Sequence, residues 1–335
     1  MIRAVDNGTG GLDDAVAVLR RGGLVAFPTE TVYGLGADAR SRPGLRRLYA
    51  VKGRPTTHPV IVHLPAASGV DELLAPWAAT VPSAARALAD ACWPGPLTLL
   101  VRRAAGVPDE VTGGRDTVGV RVPDQPLAQR LLQRFGGGVA APSANRFGRV
   151  SPTTAEHVRA DLDGDVDLVL DGGPCRVGVE STIVDCTGDQ PVVARLGALS
   201  REHLEAVLGC PLAVRVDGTI AAPGALPSHY APTARVELVT AHELVPRAEA
   251  LVAAGTRVGV LAPPPLPVLP VEVERLDTPG PVDQLAHELY TLLRDADRRG
   301  VDVLLAVPPT RCWLGAAVAD RLTRAAREPV AESGR

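Results

Sequence analysis

Leu24-Val25-Ala26-Phe27-Pro28-Thr29-Glu30-Thr31-Val32-Tyr33-Gly34-Leu35-Gly36 is the stretch that decides the fold of this 335-residue chain. Leu24–Phe27 is a short apolar run, the pattern of a strand buried on both faces of an α/β sheet. Pro28 halts it, since proline has no N–H to give a sheet ladder. The polar, glycine-punctuated Thr29–Gly36 then reads as a loop at the carboxyl end of a strand, where open α/β sheets place their ligands. Taken alone, the Gly34-x-Gly36 pair reads more readily as a plain turn.

Working outward, residues 12–21 read as a helix, with Asp13 and Asp14 in its first turn and Arg20-Arg21 before the stop Gly22-Gly23, so both ends complement the helix dipole. Downstream, Pro43 opens a second helix, Leu45, Leu48 and Val51 recur at helical spacing, and Gly53 ends it. Lys52 closes that helix and is the one lysine among 35 Lys and Arg residues. A compact ammonium retained where every other basic residue is a planar guanidinium suits a phosphate; a cation on a solvated helix end is the plain alternative. The strand at 59–64 puts His63 on the face of Ile61, where a lone histidine is ordinarily structural. In Thr117-Val118-Gly119-Val120-Arg121-Val122 the valines point one way, and a hydroxyl, a gap and a guanidinium the other. That second face reads as a small anion pocket or as a solvated outer face. Gly138–Ala141 is a further apolar strand ending in Pro142-Ser143-Ala144-Asn145. Ser151–Thr154 caps a helix reaching about 162, and strands follow at 166–170, 179–186 and 191–197, then a helix at 200–208.

After Gly209 the pattern breaks. Residues 210–233 are proline-rich and aperiodic and contain His229-Tyr230, which favours a functional lid over a bare tether. Beyond it, strands at 235–239, 257–262, 271–275 and 301–307 alternate with helices at 241–254, 282–299 and 314–327. Such alternation predicts a small parallel α/β domain. The expected division is a catalytic domain at 1–209, a linker at 210–233 and a C-terminal domain at 234–335.

Composition narrows the functions. A net charge of −3 argues against a uniformly basic nucleic-acid binder. No apolar run approaches a membrane span, the N-terminus lacks a signal-peptide core, and five cysteines without a Cys-x-x-Cys pair read as reduced thiols of a cytoplasmic protein. The polar clusters offer cations and hydroxyls but no nucleophile elbow, close carboxylate pair or metal-ligand set. Such a set suits anion or nucleotide positioning more than acid–base hydrolysis.

Phe27–Gly36, Lys52-Gly53-Arg54-Pro55, Trp93-Pro94-Gly95-Pro96-Leu97-Thr98, Ala141–Asn145 and Gly178-Val179-Glu180-Ser181-Thr182-Ile183 together resemble the YrdC-type threonylcarbamoyl-AMP synthases. His229-Tyr230-Ala231-Pro232 is similar to the linker motif of the long, two-domain form of that family. The resemblance spans essentially the whole chain. It implies a twisted mixed open sheet followed by a Rossmann-like domain. It also implies conversion of L-threonine, bicarbonate and ATP to threonylcarbamoyl-AMP and pyrophosphate, with Mg2+ accompanying ATP and no metal ligand from protein side chains. A separate transferase would pass the product to tRNA, and any tRNA contact of this chain would be weak. By motif, threonine would meet Thr31, His63, Arg121, Ser143 and Ser181. ATP would meet Lys52, Arg54, His58, Thr117, Asn145, Ser151, Arg195 and Tyr230, with Lys52 and Arg54 acting in catalysis. The chain departs from the family pattern at His58, where Asn is usual, at Ser228, where Lys is usual, and at Leu196, where Pro is usual. A non-catalytic RNA-binding module is the alternative from another class.

Overall fold

The structure is a computed structural model that describes residues 4–5, 9–216, 220, 229–309 and 313–327. The chain falls into two compact units, Met1–Phe147 with Ser151–Ala225, and Gly148–Val150 with Leu226–Arg335.

The first unit contains β1 (Ala4–Val5), α1 (Thr9–Arg20), β2 (Val25–Phe27), β3 (Gly34–Asp38), α2 (Arg42–Lys52), β4 (Ile61–His63), α3 (Val70–Leu74), α4 (Ser83–Cys92), β5 (Leu97–Arg102), α5 (Asp109–Thr112), β6 (Thr117–Arg121), α6 (Pro126–Phe135), β7 (Val139–Ala140), α7 (Ala155–Leu162), β8 (Leu168–Leu170), β9 (Thr182–Asp185), β10 (Val192–Arg195), α8 (Arg201–Leu208) and β11 (Ala213–Val214). The strands form one mixed sheet in the order β1-β8-β2-β3-β7-β4-β6-β5-β9-β10-β11. Alternation along β2 feeds both sides of it. Leu24 and Ala26 join a cluster with Leu45, Leu48 and Leu88, while Val25 and Phe27 join one with Leu12, Leu19 and Leu131. The helices begin and end where their residues dictate. Ser41 caps α2 by accepting from Gly44 N, and Gly53 closes it in the left-handed region at φ 62°. Gln125, Thr154 and Ser200 cap α6, α7 and α8 in the same manner.

The central registers position the polar residues. β4 and β6 run parallel with His63 opposite Arg121. β5 lies antiparallel to β6 with Thr98 opposite Arg121. β9 runs parallel to β5, with Thr98 opposite Ile183.

The second unit contains β12 (Arg235–Leu238), α9 (Leu244–Ala253), β13 (Val258–Leu261), β14 (Glu274–Arg275), α10 (Val282–Arg298), β15 (Val303–Ala306) and α11 (Trp313–Ala325). Its sheet, β12-β15-β13-β14, is parallel at every pairing, as the strand–helix alternation predicts.

Three local expectations are corrected. α1 starts at Thr9, so Asp13 and Asp14 lie beyond its first turn and do not serve its N-terminal dipole. Gly34–Gly36 is not loop but the start of β3, antiparallel to β2. Glycine disguised this strand: a Cβ on Gly36 would lie 2.8 Å from Val139 Cγ1 and 2.9 Å from Phe27 Cε1, so packing, not turn geometry, requires the bare backbone there. Residues 210–233 begin with β11, which pairs parallel to β10 and is too short to show a period. Ser228 lies outside the described residues.

Gly36→Ala is therefore expected to overpack the β2–β3–β7 interface and lower stability by about 1–3 kcal/mol, measured by denaturant unfolding of the full chain.

Candidate functional site

The polar residues singled out in the first unit gather into two contiguous clusters. The first is built on the ends of β4, β5, β6 and β9. His63, Thr98, Arg121, Ser181 and Arg195 are all buried. Thr98 Oγ1 and Ser181 Oγ are 2.8 Å apart. Arg195 donates from Nη2 to Ser181 Oγ at 2.9 Å and from Nε to the Ser181 carbonyl at 3.1 Å. Glu30 enters from the β2–β3 connection with Oε1 2.7 Å from Arg121 Nη2. Thr29 and Thr31 flank it with their hydroxyls 2.8 Å apart. Ser151 donates to Glu180 Oε1 at 2.8 Å, which ties the start of the α7 cap to the residue before Ser181.

His63 sits edge-on to Phe27, ring centroids 5.9 Å apart. Burial and the Arg121 charge hold its pKa down to about 3, against weaker opposing contributions from the carbonyls of Ile61 and Val139. It is a neutral imidazole at any ordinary pH, able to donate from one nitrogen and accept at the other.

The second cluster is centred on Lys52, which is buried and not on a solvated face. Its Nζ donates to the carbonyls of Ser143 (2.6 Å) and Asn145 (2.5 Å) and to Oδ1 of Asn145 (3.4 Å). Phe147 N in turn donates to the Lys52 carbonyl at 2.8 Å. Burial first, and the Arg54 charge second, pull the pKa of Lys52 well below the lysine range. Three acceptors around one nitrogen nevertheless match the three donors of an ammonium and exceed the two of an amine, so Lys52 is charged in this arrangement. The same loop pairs Ser143 with Gly34 in an isolated bridge and receives Leu35 N on the Pro142 carbonyl. Arg54 lies beside it, donating to the carbonyls of Pro59 (2.8 Å) and His58 (3.4 Å) with its guanidinium 5.8 Å from the Phe147 ring centre. His58 is half-buried and packs its ring 5.6 Å from the same Phe147.

Thr117 lies away from Arg121 and the first cluster. It is half-buried at the opposite end of β6 from Arg121, about 13 Å away at strand rise. Tyr230 belongs to the second unit, where it adopts φ 64°, stacks on Tyr290 at 5.7 Å and lies 5.2 Å from the Arg321 guanidinium. Glu30, Glu180 and Thr98 are among the buried polar residues that the site assignment omitted. The available signal was their position inside the quoted motifs: each stands next to, or across a strand from, a residue that was chosen.

Residues 17–197 match the Sua5/YciO/YrdC family model, described as telomere recombination, and residues 199–327 match the C-terminal domain of threonylcarbamoyl-AMP synthase. The chain belongs to the Sua5/YciO/YrdC family. The threonylcarbamoyl-AMP synthase of Pyrococcus abyssi is 41% identical over 93% of this chain and 92% of its own length. That of Bacillus subtilis is 38% identical at the same coverage. The crystal structure of P. abyssi Sua5 complexed with L-threonine is 39% identical, with a TM-score of 0.86 over 94% of each chain. The family resemblance read from the motifs, in its long two-domain form, is borne out by these matches.

Lys52→Arg places a planar fork where three acceptors surround a point donor. It is expected to displace the Ser143–Asn145 loop and cost about 10²-fold in turnover, with the chain still folded by circular dichroism. His63 gives a pH signature. Its unfolded form takes a proton near pH 6.5, whereas the folded form waits until about pH 3, so stability is full above 6.5 and falls as pH drops toward 3. In His63→Gln that acid-side slope of unfolding free energy should be shallower by one proton, about 1.4 kcal/mol per pH unit.

Proposed function

We propose that the first unit carries the synthase chemistry of this family: L-threonine, bicarbonate and ATP give threonylcarbamoyl-AMP and pyrophosphate. The observation that carries the reading is end-to-end similarity to named threonylcarbamoyl-AMP synthases in a chain whose matching motifs build two clusters of buried polar residues in the first unit. That similarity also displaces the alternative of a non-catalytic RNA-binding module.

In this reading Arg121 takes the threonine carboxylate, with Thr31, neutral His63, Ser143 and Ser181 supplying hydrogen bonds around it. The carbamate oxygen formed on threonine attacks the α-phosphorus of ATP, and pyrophosphate leaves. Arg54 supplies positive charge to the phosphates. Lys52, with its donors spent on the protein, acts there through its field and by setting Asn145. His58, Thr117, Ser151, Arg195 and Tyr230 are assigned to the nucleotide on motif position alone. Magnesium would enter on the ATP phosphates and neutralise their charge; among the described residues no group of three His, Cys, Asp or Glu is placed to hold a metal. A downstream transferase would use the product on tRNA. No helix among the described residues is long and apolar enough to cross a membrane. The cytoplasm is the compartment proposed, on the reading of the cysteines as thiols; four of the five lie in the described residues and are unbridged.

The test is pyrophosphate release by the purified full chain. Release is expected only when threonine and bicarbonate are both present, and undiminished release without threonine would sink the assignment.

A further inference from the structure

The roles assigned above leave out the carboxylate nearest Arg121. The Glu30 side chain is 1% exposed and that of Arg121 4%. Their closest atoms are 2.7 Å apart, yet among the described residues neither Glu30 oxygen meets a donor in hydrogen-bonding geometry, and Nε and Nη2 of Arg121 meet no acceptor in it. The charges touch without being aligned. A buried carboxylate normally accepts several hydrogen bonds, so this one keeps acceptor capacity in hand. Its backbone, by contrast, is fixed. Val177 N donates to the Glu30 carbonyl at 2.8 Å, and Thr29 Oγ1 accepts from Thr31 N and Val32 N while donating to the Val32 carbonyl. Among the described residues, Arg121 from β6, whose charge also acts on neutral His63, and Cys175 after β8 are the titratable groups that interact with Glu30. Burial raises the Cys175 thiol, and the Glu30 charge raises it further.

We propose that Glu30 is the counter-ion of the substrate α-ammonium and the acceptor of its proton. The proposal rests on the synthase reading. An amino acid is a zwitterion, and Glu30–Arg121 is a neutral pair of the same two signs. When the substrate carboxylate meets Arg121 and its ammonium meets Glu30, one misaligned ion pair becomes two aligned ones, and no unpaired charge is buried. Without Glu30 the ammonium would enter a pocket whose nearest charge is also positive. An ammonium has no lone pair, so a proton must leave before nitrogen attacks carbon. That proton passes to a Glu30 oxygen and leaves a neutral amine. The amine nitrogen then bonds to the bicarbonate carbon, the carbon–hydroxyl bond breaks, and the departing hydroxide takes the second nitrogen proton as water. The product is the carbamate anion.

The deciding comparison is Glu30→Gln against the unmodified full chain. Kinetics by pyrophosphate release run from neutral to alkaline pH. Calorimetry compares binding of L-threonine with its deamino analogue, 2,3-dihydroxybutanoate. At neutral pH the variant is expected to lose about 10²-fold in kcat/KM, the usual worth of a positioned base. The loss should shrink above the pKa of the threonine amine, where substrate arrives deprotonated. The unmodified chain should prefer threonine to the analogue, and the variant should not. A loss independent of pH with the preference kept would overturn the proposal and leave Glu30 as a support for Arg121; wild-type kinetics would overturn it too. If Glu30→Gln does not fold, Glu30→Asp retracts the same charge by one methylene, and an undiminished preference for threonine there is equally fatal. Calorimetry separates the two claims. A chain that makes no threonine-dependent pyrophosphate but loses its threonine preference in Glu30→Gln refutes the synthase and retains the ammonium contact.

Discussion

One buried ammonium ties the catalytic unit together. Lys52 ends α2, and its nitrogen gathers two carbonyls and a side-chain amide from the segment that follows β7. Burying a cation is costly unless every donor is used, and here all three are. The arrangement joins a helix end to a loop more than ninety residues away. The loop in turn sits against β3 through Gly34 and Leu35. A guanidinium could not replace it, because its donors lie in one plane and reach further from the backbone. The single lysine of an arginine-rich chain is thus explained by acceptor geometry, without appeal to a ligand.

Around this anchor the polar site is largely a consequence of strand register. Thr98, Arg121 and His63 are neighbours because β5, β6 and β4 are, and each is the inward member of an alternating pair of faces. That much was legible in the sequence: alternation in 117–122 separated Arg121 from the valines, and periodicity with capping residues located α2, α7 and α8. The parallel sheet of the second unit was legible for the same reason. β3 was not, since glycine carries neither strand propensity nor a side-chain pattern, and its need arises only from Phe27 and Val139 pressing on it. β11 was too short to read. Glu30 was hidden for a different reason: its partner lies on β6, and no local pattern announces a contact between elements ninety residues apart.

The charges of the site follow one rule. Glu30 and Arg121 neutralise each other, His63 is kept uncharged by burial and by Arg121, and Lys52 is enclosed by neutral acceptors. With Glu180 and Arg195 counted, the threonine-side cluster holds two buried carboxylates and two buried guanidiniums, and so no net buried charge. A pocket of this kind does not attract its ligand by a strong field. It recognises the ligand by exchange, offering each charged end of a zwitterion a partner already desolvated and already in place. The energetic cost of burying those partners was met on folding, so binding has only to realign them. This also accounts for the neutral histidine. A second cation beside Arg121 would bias the pocket toward dianions and repel an ammonium, whereas a neutral imidazole adds a hydrogen bond and leaves the balance of charge to Glu30 and Arg121.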